Sequence, residues 1–279
     1  MPTRYRKFGR ADVAAAHRLS LDVGWPHRLE DWRFVQRLGA GHVALDDRAV
    51  VGTILTWKHD MRNASLGMVI VDPRYQGGGI GKRLMRLALR DVAGRAVMLN
   101  ATPAGEPLYE KLGFRAIDVV EQHQGIAAPV PAVPLARGER LRPVGASDAP
   151  KLAALARRAA GLARARVLAR LLEVGKGIVL ASGDEVTGFA IFRRFGRGYL
   201  IGPVVAADAA RAQALVSHWV AMHPGKFIRI DIPASIGLGP WLDSIGLVKV
   251  DTVVTMVKGA APARDANLHA YALVSQALG

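Results

Sequence analysis

Residues Gly67–Leu84, GMVIVDPRYQGGGIGKRL, decide the fold. An apolar strand pattern runs into Asp72-Pro73, and glycines at 77, 78, 79 and 81 then open a helical run. Such glycines leave backbone amides uncovered by side chains, and the first amides of a helix have no internal acceptor. The helix dipole and Lys82 add positive potential at the same point, so the unit reads as a cradle for a phosphate or pyrophosphate. Two other cradles fail on spacing. A P-loop would need glycine at 76 and Ser or Thr at 83, where the chain has Gln76 and Arg83. A dinucleotide fingerprint would need glycine at 82 or 84, where Lys82 and Leu84 stand.

Outward from this unit, hydrophobic periodicity predicts a helix over 28–38, strands over 42–46, 50–57 and 65–71, and a helix over 79–93. A strand over 96–101, a helix over 107–112 and a strand over 115–121 follow. The order is a mixed α/β plan with a hairpin region first and a strand–loop–helix unit in the middle. The second half repeats it. Arg4, Arg6, Gly9 and Asp12 recur as Arg140, Arg142, Gly145 and Asp148, and PLYEKLGF (107–114) is matched in spacing by PWLDSIGL (240–247). Between the copies, AAPVPAVPLARG (127–138) reads as an extended linker, giving units 1–126 and 139–279. The apolar tail 267–279 is expected to be a short helix packed back on the body.

Gln76, Gly79 and Gly81 fit the Q/R-x-x-G-x-G/A signature of the GNAT acetyltransferases, after the usual V-D-P lead-in, and PLYEKLGF resembles that family's second signature. The resemblance covers residues 1 to about 125. The tandem arrangement resembles bacterial GNAT proteins with a second, degenerate GNAT-like C-terminal domain. It implies tandem α/β (α+β) folds, each a mixed, mostly antiparallel sheet flanked by helices, with acetyl-CoA as acyl donor.

By that resemblance the pantetheine arm of CoA would pair with backbone at Val69, Ile70 and Val71. Its pyrophosphate would lie on the amides of Gln76, Gly77, Gly78, Gly79, Ile80, Gly81 and Lys82. Asn100 would bind cofactor or an ordered water, or else cap its strand. An amine attacking the thioester directly gives a tetrahedral oxyanion, for which a backbone amide in 69–71 is the donor. The departing thiolate needs an acid, and a phenol suits a thiol, so Tyr109 is the expected proton donor. The strand before the glycine turn, SLGMVIV, holds no carboxylate or histidine. A water relay, His59, Asp60 or a group from the second half would serve as base. On the acceptor side, Trp25 and Arg28 are the candidate substrate contacts, while Trp32 reads as core.

In the second copy the positions of Gln76, Gly79 and Gly81 become Ala210, Gln213 and Leu215, Asp208 caps the following helix, and Leu242 replaces Tyr109. That copy is expected to be a scaffold closing the acceptor pocket, with Arg164 and Asp231-Ile232-Pro233 along it. The expected function is N-acetylation of a small-molecule amine. Alternatives are a mycothiol-synthase-like acyltransferase and a non-catalytic acyl-CoA sensor.

Composition narrows the rest. The 279 residues contain no cysteine, which removes disulfides and thiolate chemistry, and the eight histidines show no HExxH spacing, so no metal is expected. A formal charge of +15 is spread as single and paired basic residues with no long block. It reads as a solvated surface suited to anionic small molecules rather than a nucleic-acid footprint. No run approaches the roughly 20 apolar residues of a membrane span, and a cytoplasmic location is expected.

Overall fold

In the computed structural model, which describes residues 3–279, the duplicated Arg/Gly/Asp motif folds the same way twice. Arg6 donates two hydrogen bonds to Asp12 at 2.6 and 2.7 Å, and Gly9 N–H reaches the same carboxylate at 2.8 Å. Arg142, Gly145 and Asp148 repeat the arrangement at 2.6, 3.0 and 2.7 Å. Each bidentate pair pins an edge strand to the start of the first helix.

The first half runs β1 (Arg4–Lys7), α1 (Val13–Asp22), α2 (Leu29–Leu38), β2 (Ala40–Asp46), β3 (Ala49–Lys58), β4 (Asn63–Val71), α3 (Ile80–Asp91), β5 (Ala96–Ala101), α4 (Glu106–Glu110) and β6 (Arg115–Ile126). The second runs β7 (Glu139–Pro143), α5 (Ala149–Ala160), α6 (Ala165–Val174), β8 (Gly175–Ser182), β9 (Glu185–Phe195), β10 (Gly198–Ala206), α7 (Ala209–Ala221), β11 (Phe227–Pro233), α8 (Gly239–Ser244) and β12 (Val248–Lys258). One further strand, β13 (His269–Ala272), has no counterpart in the first half.

The two copies share one mostly antiparallel sheet, ordered β1-β2-β3-β4-β5-β12-β6-β11-β10-β9-β8-β7. Strand β12 of the second half lies between β5 and β6 of the first, and β6 lies between β12 and β11. The halves therefore exchange their last strands. A core on one face joins Val13, Leu19 and Trp32 of the first half to Leu152, Phe189 and Val274 of the second. On the other face each half keeps its own core, built on α3 and on α7. Helix α3 shows why: Ile80, Leu84, Met85 and Ala88 are buried at helical spacing while Lys82, Arg83, Arg86 and Arg90 are exposed.

Both parallel pairs in the sheet splay apart. Strands β4 and β5 pair only from Asn63↔Ala96 to Ser65↔Met98 and then diverge. Strands β10 and β11 do the same after Ile201↔Ile230. Here the tail departs from expectation: residues 267–279 form β13 and turns, not a helix. Beyond Ile201, strand β10 has lost its partner, and β13 pairs with it at Val204↔Ala272, Val205↔Ala270 and Ala206↔His269. Leu273 N–H then donates to the Asp231 carbonyl across the gap at 2.9 Å. Unpaired buried backbone is costly, and the tail's strand removes that cost where a helix could not.

Candidate active site

The first splay is open and leads into a cavity of about 230 Å³. Its floor is Leu66–Val69 of β4. The register of β4 on β3 shifts between Thr53 and Leu55, so two residues of β4, Met68 and Val69, face one of β3. Met68 takes φ +53°, a left-handed conformation rare for a residue with a side chain. Thr53 Oγ1 holds the bulge by donating to the Met68 carbonyl at 2.8 Å. Val69 lines the cavity, Val71 is half-buried, and the side chain of Ile70 is buried in the core, which leaves Ile70 only its backbone to offer.

Past Val71 the chain turns through Asp72, which accepts from Arg74 N–H at 2.9 Å, into the glycine loop. Gly77 and Gly79 adopt φ +80° and +78°, and a Cβ added at either would meet nothing within 4 Å. The loop is therefore open on its outer side, with a backbone that needs glycine. Gln76, Gly78 and Lys82 are exposed around it. Ile80 is buried in the core and Gly81 packs near Leu108 and Val71, so these two also contribute backbone only.

Tyr109, at the end of α4, lines the cavity with its ring edge-on to Phe114, 6.1 Å away. Its hydroxyl has no hydrogen-bond partner among the described residues. Burial pushes the phenol up to about 12, so it is protonated at neutral pH. Asn100 reaches the cavity wall, but its side chain is engaged: Nδ2 donates to the Gln276 carbonyl at 2.8 Å and Oδ1 accepts from Thr255 at 2.7 Å. It anchors the tail, whose Ser275–Ala277 forms another wall. The tail lies so close to β4 that a Cβ on Gly67 would stand 3.1 Å from the Ala277 carbonyl oxygen.

The rest of the cavity wall is built from both halves. Trp25 lines it, as does His27 two residues on. Arg28 does not: its guanidinium is held by Asp31 at 2.7 Å and donates to the Arg194 carbonyl at 2.9 Å. Asp31, almost fully buried, also accepts from Gly196 N–H at 3.0 Å, so this cluster clamps the α1–α2 loop onto the β9–β10 turn. Phe195, Arg197, Arg229 and Asp251 of the second half complete the wall. Burial, with the charges of Arg229 and Arg193 nearby, lowers His27 to about 4 despite Asp31, and the imidazole is neutral.

His59 and Asp60 lie elsewhere, at the closed end of the splay. His59 contacts Ser65 at 2.9 Å, and Asp60 accepts from the Arg62 and Asn63 amides. Arg164 borders a separate cavity of about 60 Å³ behind the tail, and Asp231 is buried against Arg229. His27, Arg197, Arg229, Asp251 and the tail line the cavity without having been expected from the sequence; of these only His27 has a local signal, lying between the candidate contacts Trp25 and Arg28.

Family profiles described as acetyltransferase (GNAT) domains match residues 28–129 and 152–272. Both halves of the chain belong to the GNAT acetyltransferases. An uncharacterized N-acetyltransferase of Bacillus subtilis, YitH, is 28% identical over 98% of this chain and 97% of its own length. A holothin acyltransferase of Pseudoalteromonas is 28% identical over 71% of this chain and 68% of its own. Among solved structures, a Pyrococcus horikoshii protein classed as an acetyltransferase superposes with a TM-score of 0.79 at 21% identity, covering 99% of this chain and 96% of that one. The chain is an acyltransferase, and within it the two GNAT copies differ in ways the geometry explains. Val69 of the first corresponds to Pro203 of the second, which has no amide hydrogen. Asp208 caps α7 by accepting from Arg211 N–H at 2.9 Å, putting a carboxylate where the first copy has its open glycine turn. Strand β13 fills the second splay.

Proposed function

We propose that the chain is an N-acetyltransferase that moves the acetyl group of acetyl-CoA to the amine of a small acceptor by direct attack. One observation carries the reading. The free edge of β4 runs from a cavity that contains Tyr109 and the bulge at Met68–Val69 straight to a glycine turn open enough for a diphosphate. Acetyl-CoA bound along that edge would supply an activated thioester carbonyl. The backbone of Val69–Val71 would pair with the pantetheine amides, and the amides of residues 76–82, with the Lys82 ammonium, would hold the diphosphate. The Val69 N–H would donate to the oxygen on which charge develops. Tyr109 Oη, kept neutral by burial, holds the proton needed by the departing sulfur. On the acceptor side, the neutral His27 imidazole and the Asp251 carboxylate are the proton acceptors that border the cavity. Two relatives named as acyl-transfer enzymes support the same chemistry.

The test is calorimetric binding of acetyl-CoA followed by a thiol-release screen of amines with wild type and Tyr109→Phe. The variant should bind acetyl-CoA as wild type does and lose about 10²–10⁴-fold in kcat, the usual contribution of a positioned acid. No acetyl-CoA binding would overturn the donor assignment. Turnover indifferent to the phenol would remove Tyr109 from its role.

A further inference from the structure

The acceptor end of the cavity carries two charges that acyl-donor chemistry leaves unused. Arg197, on the β9–β10 turn, is exposed at the cavity and makes no ion pair or hydrogen bond among the described residues. Asp251, from β12, accepts the Thr252 N–H at 2.8 Å and likewise has no cationic partner among them. Two opposite charges on one small cavity, not paired with each other, are free to meet the two ends of a bound molecule. The same cavity is also lined by rings. Trp25 and His27 stand 5.7 Å apart, and His27 meets Phe195 edge-on at 5.4 Å. Arg229 adds a rigid cation: Asp231 grips it at 2.9 and 3.0 Å, and its guanidinium lies 5.6 Å from the Phe195 ring centre. Gln122 and Gln124 of β6 add neutral polar groups to the wall.

We propose that the acceptor is an amino acid, its carboxylate held by Arg197 beside Arg229, its ammonium drawn to Asp251, and its apolar side chain set against Trp25 and Phe195. This rests on the reading of the cavity as the acceptor pocket. Charge-assisted bonds at both ends are worth more beside low-dielectric ring walls than in open water. At about 230 Å³ the whole cavity, which must also take the thioester end of the donor, falls below the roughly 300–1,000 Å³ of drug-sized sites and so limits the acceptor to a small molecule. A carboxylate arriving near Arg229 would also offset the positive field that helps to hold His27 neutral, and so make that imidazole a better proton acceptor as the acceptor binds.

The experiment compares matched pairs that differ only in the carboxylate: phenylalanine with 2-phenylethylamine, tryptophan with tryptamine, leucine with 3-methylbutylamine. Thiol release from acetyl-CoA is measured with the full chain as wild type, Arg197→Ala and Arg197→Lys. For at least one pair the amino acid should exceed its amine by about tenfold or more in kcat/KM, the yield of one charge-assisted hydrogen bond. That ratio should collapse in Arg197→Ala and return in part in Arg197→Lys. In parallel, binding of the N-acetylated products is followed by tryptophan fluorescence, which needs no turnover. The acetylated amino acid should bind more tightly than the acetylated amine, and Arg197→Ala should erase the difference. Equal handling of both members of every pair, or a preference untouched by Arg197→Ala, overturns the proposal. Silence of every amine in the turnover arm would instead count against acetyl transfer itself, while the product-binding arm still decides the acceptor class.

Discussion

His27 and His59 are imidazoles that the fold keeps uncharged. Burial lowers His27 to about 4 and, with the Arg164 charge nearby, His59 to about 3. In the unfolded chain both would titrate near the ordinary 6.5. Between pH 6.5 and about 4 the unfolded state therefore binds more protons than the folded one, and stability falls as pH falls. Each histidine contributes up to about 1.4 kcal/mol per pH unit in that window. The carboxylates held low by ion pairs, Asp12, Asp31 and Asp148, lose their contribution only as pH drops through and below the carboxylate range. The window above it thus belongs to the histidines. His27 Nδ1 is buried with no partner, so a neutral replacement there leaves no broken bond behind. Urea denaturation of wild type and His27→Gln from pH 7 to 5 should give a shallower pH slope in the variant, with His59 and His218, which burial also lowers, supplying the remainder. Superimposable slopes would show that His27 is not held neutral.

At the level of the element, the proposed diphosphate site on the β4–turn–α3 unit would tie cofactor affinity to backbone shape. Gly79 at φ +78° caps the front of α3, and Gly94 at φ +79° follows its far end; both have open space where a Cβ would go. Valine at either position meets the same left-handed strain, of about 1–2 kcal/mol. Gly79→Val and Gly94→Val should therefore lower Tm by similar amounts, while calorimetry shows weaker acetyl-CoA binding for Gly79→Val alone. Equal affinities in the two variants would mean that the glycine turn does not hold the diphosphate. This unit was readable in the sequence because its cause is local: the glycines and the strand before them act where they stand. So were the paired motifs at Asp12 and Asp148. Strand β13 was not readable, since NLHAYALVSQALG has helical composition and its state is decided by the gap between β10 and β11, far away in sequence. Arg197, Arg229 and Asp251 escaped for a similar reason, because only the meeting of the two halves turns a turn and two strand positions into one cavity wall.

For the whole molecule, duplication has produced one sheet rather than two. The segments leading into β6 and β12 carry the same local pattern, PLYEKLGF and PWLDSIGL, and nothing in that pattern specifies which copy each strand will join. In the fold they cross: β5 pairs with β12 from Lys258↔Val97 to Val254↔Ala101, while β6 pairs with β12 on one side and, from Val120↔Pro233 to Ile126↔Phe227, with β11 on the other. A fragment ending in the linker would leave β5 with an open edge and β6 with neither neighbour, and would uncover the core that joins Trp32 to Leu152 and Phe189. Each large apolar side chain so exposed costs about 1.5–3 kcal/mol, against a total stability of only about 5–15. Unpaired edges of this kind also associate with other chains. Residues 1–138 expressed alone should therefore aggregate or remain without cooperative melting, although they contain the cradle and Tyr109. The same segment coexpressed with residues 139–279 should assemble into a complex that melts cooperatively and binds acetyl-CoA, because the exchanged strands need proximity rather than a covalent link. A monomeric 1–138 that melts in one transition and binds acetyl-CoA as tightly as the full chain would refute the dependence of the first copy on the strand it receives from the second.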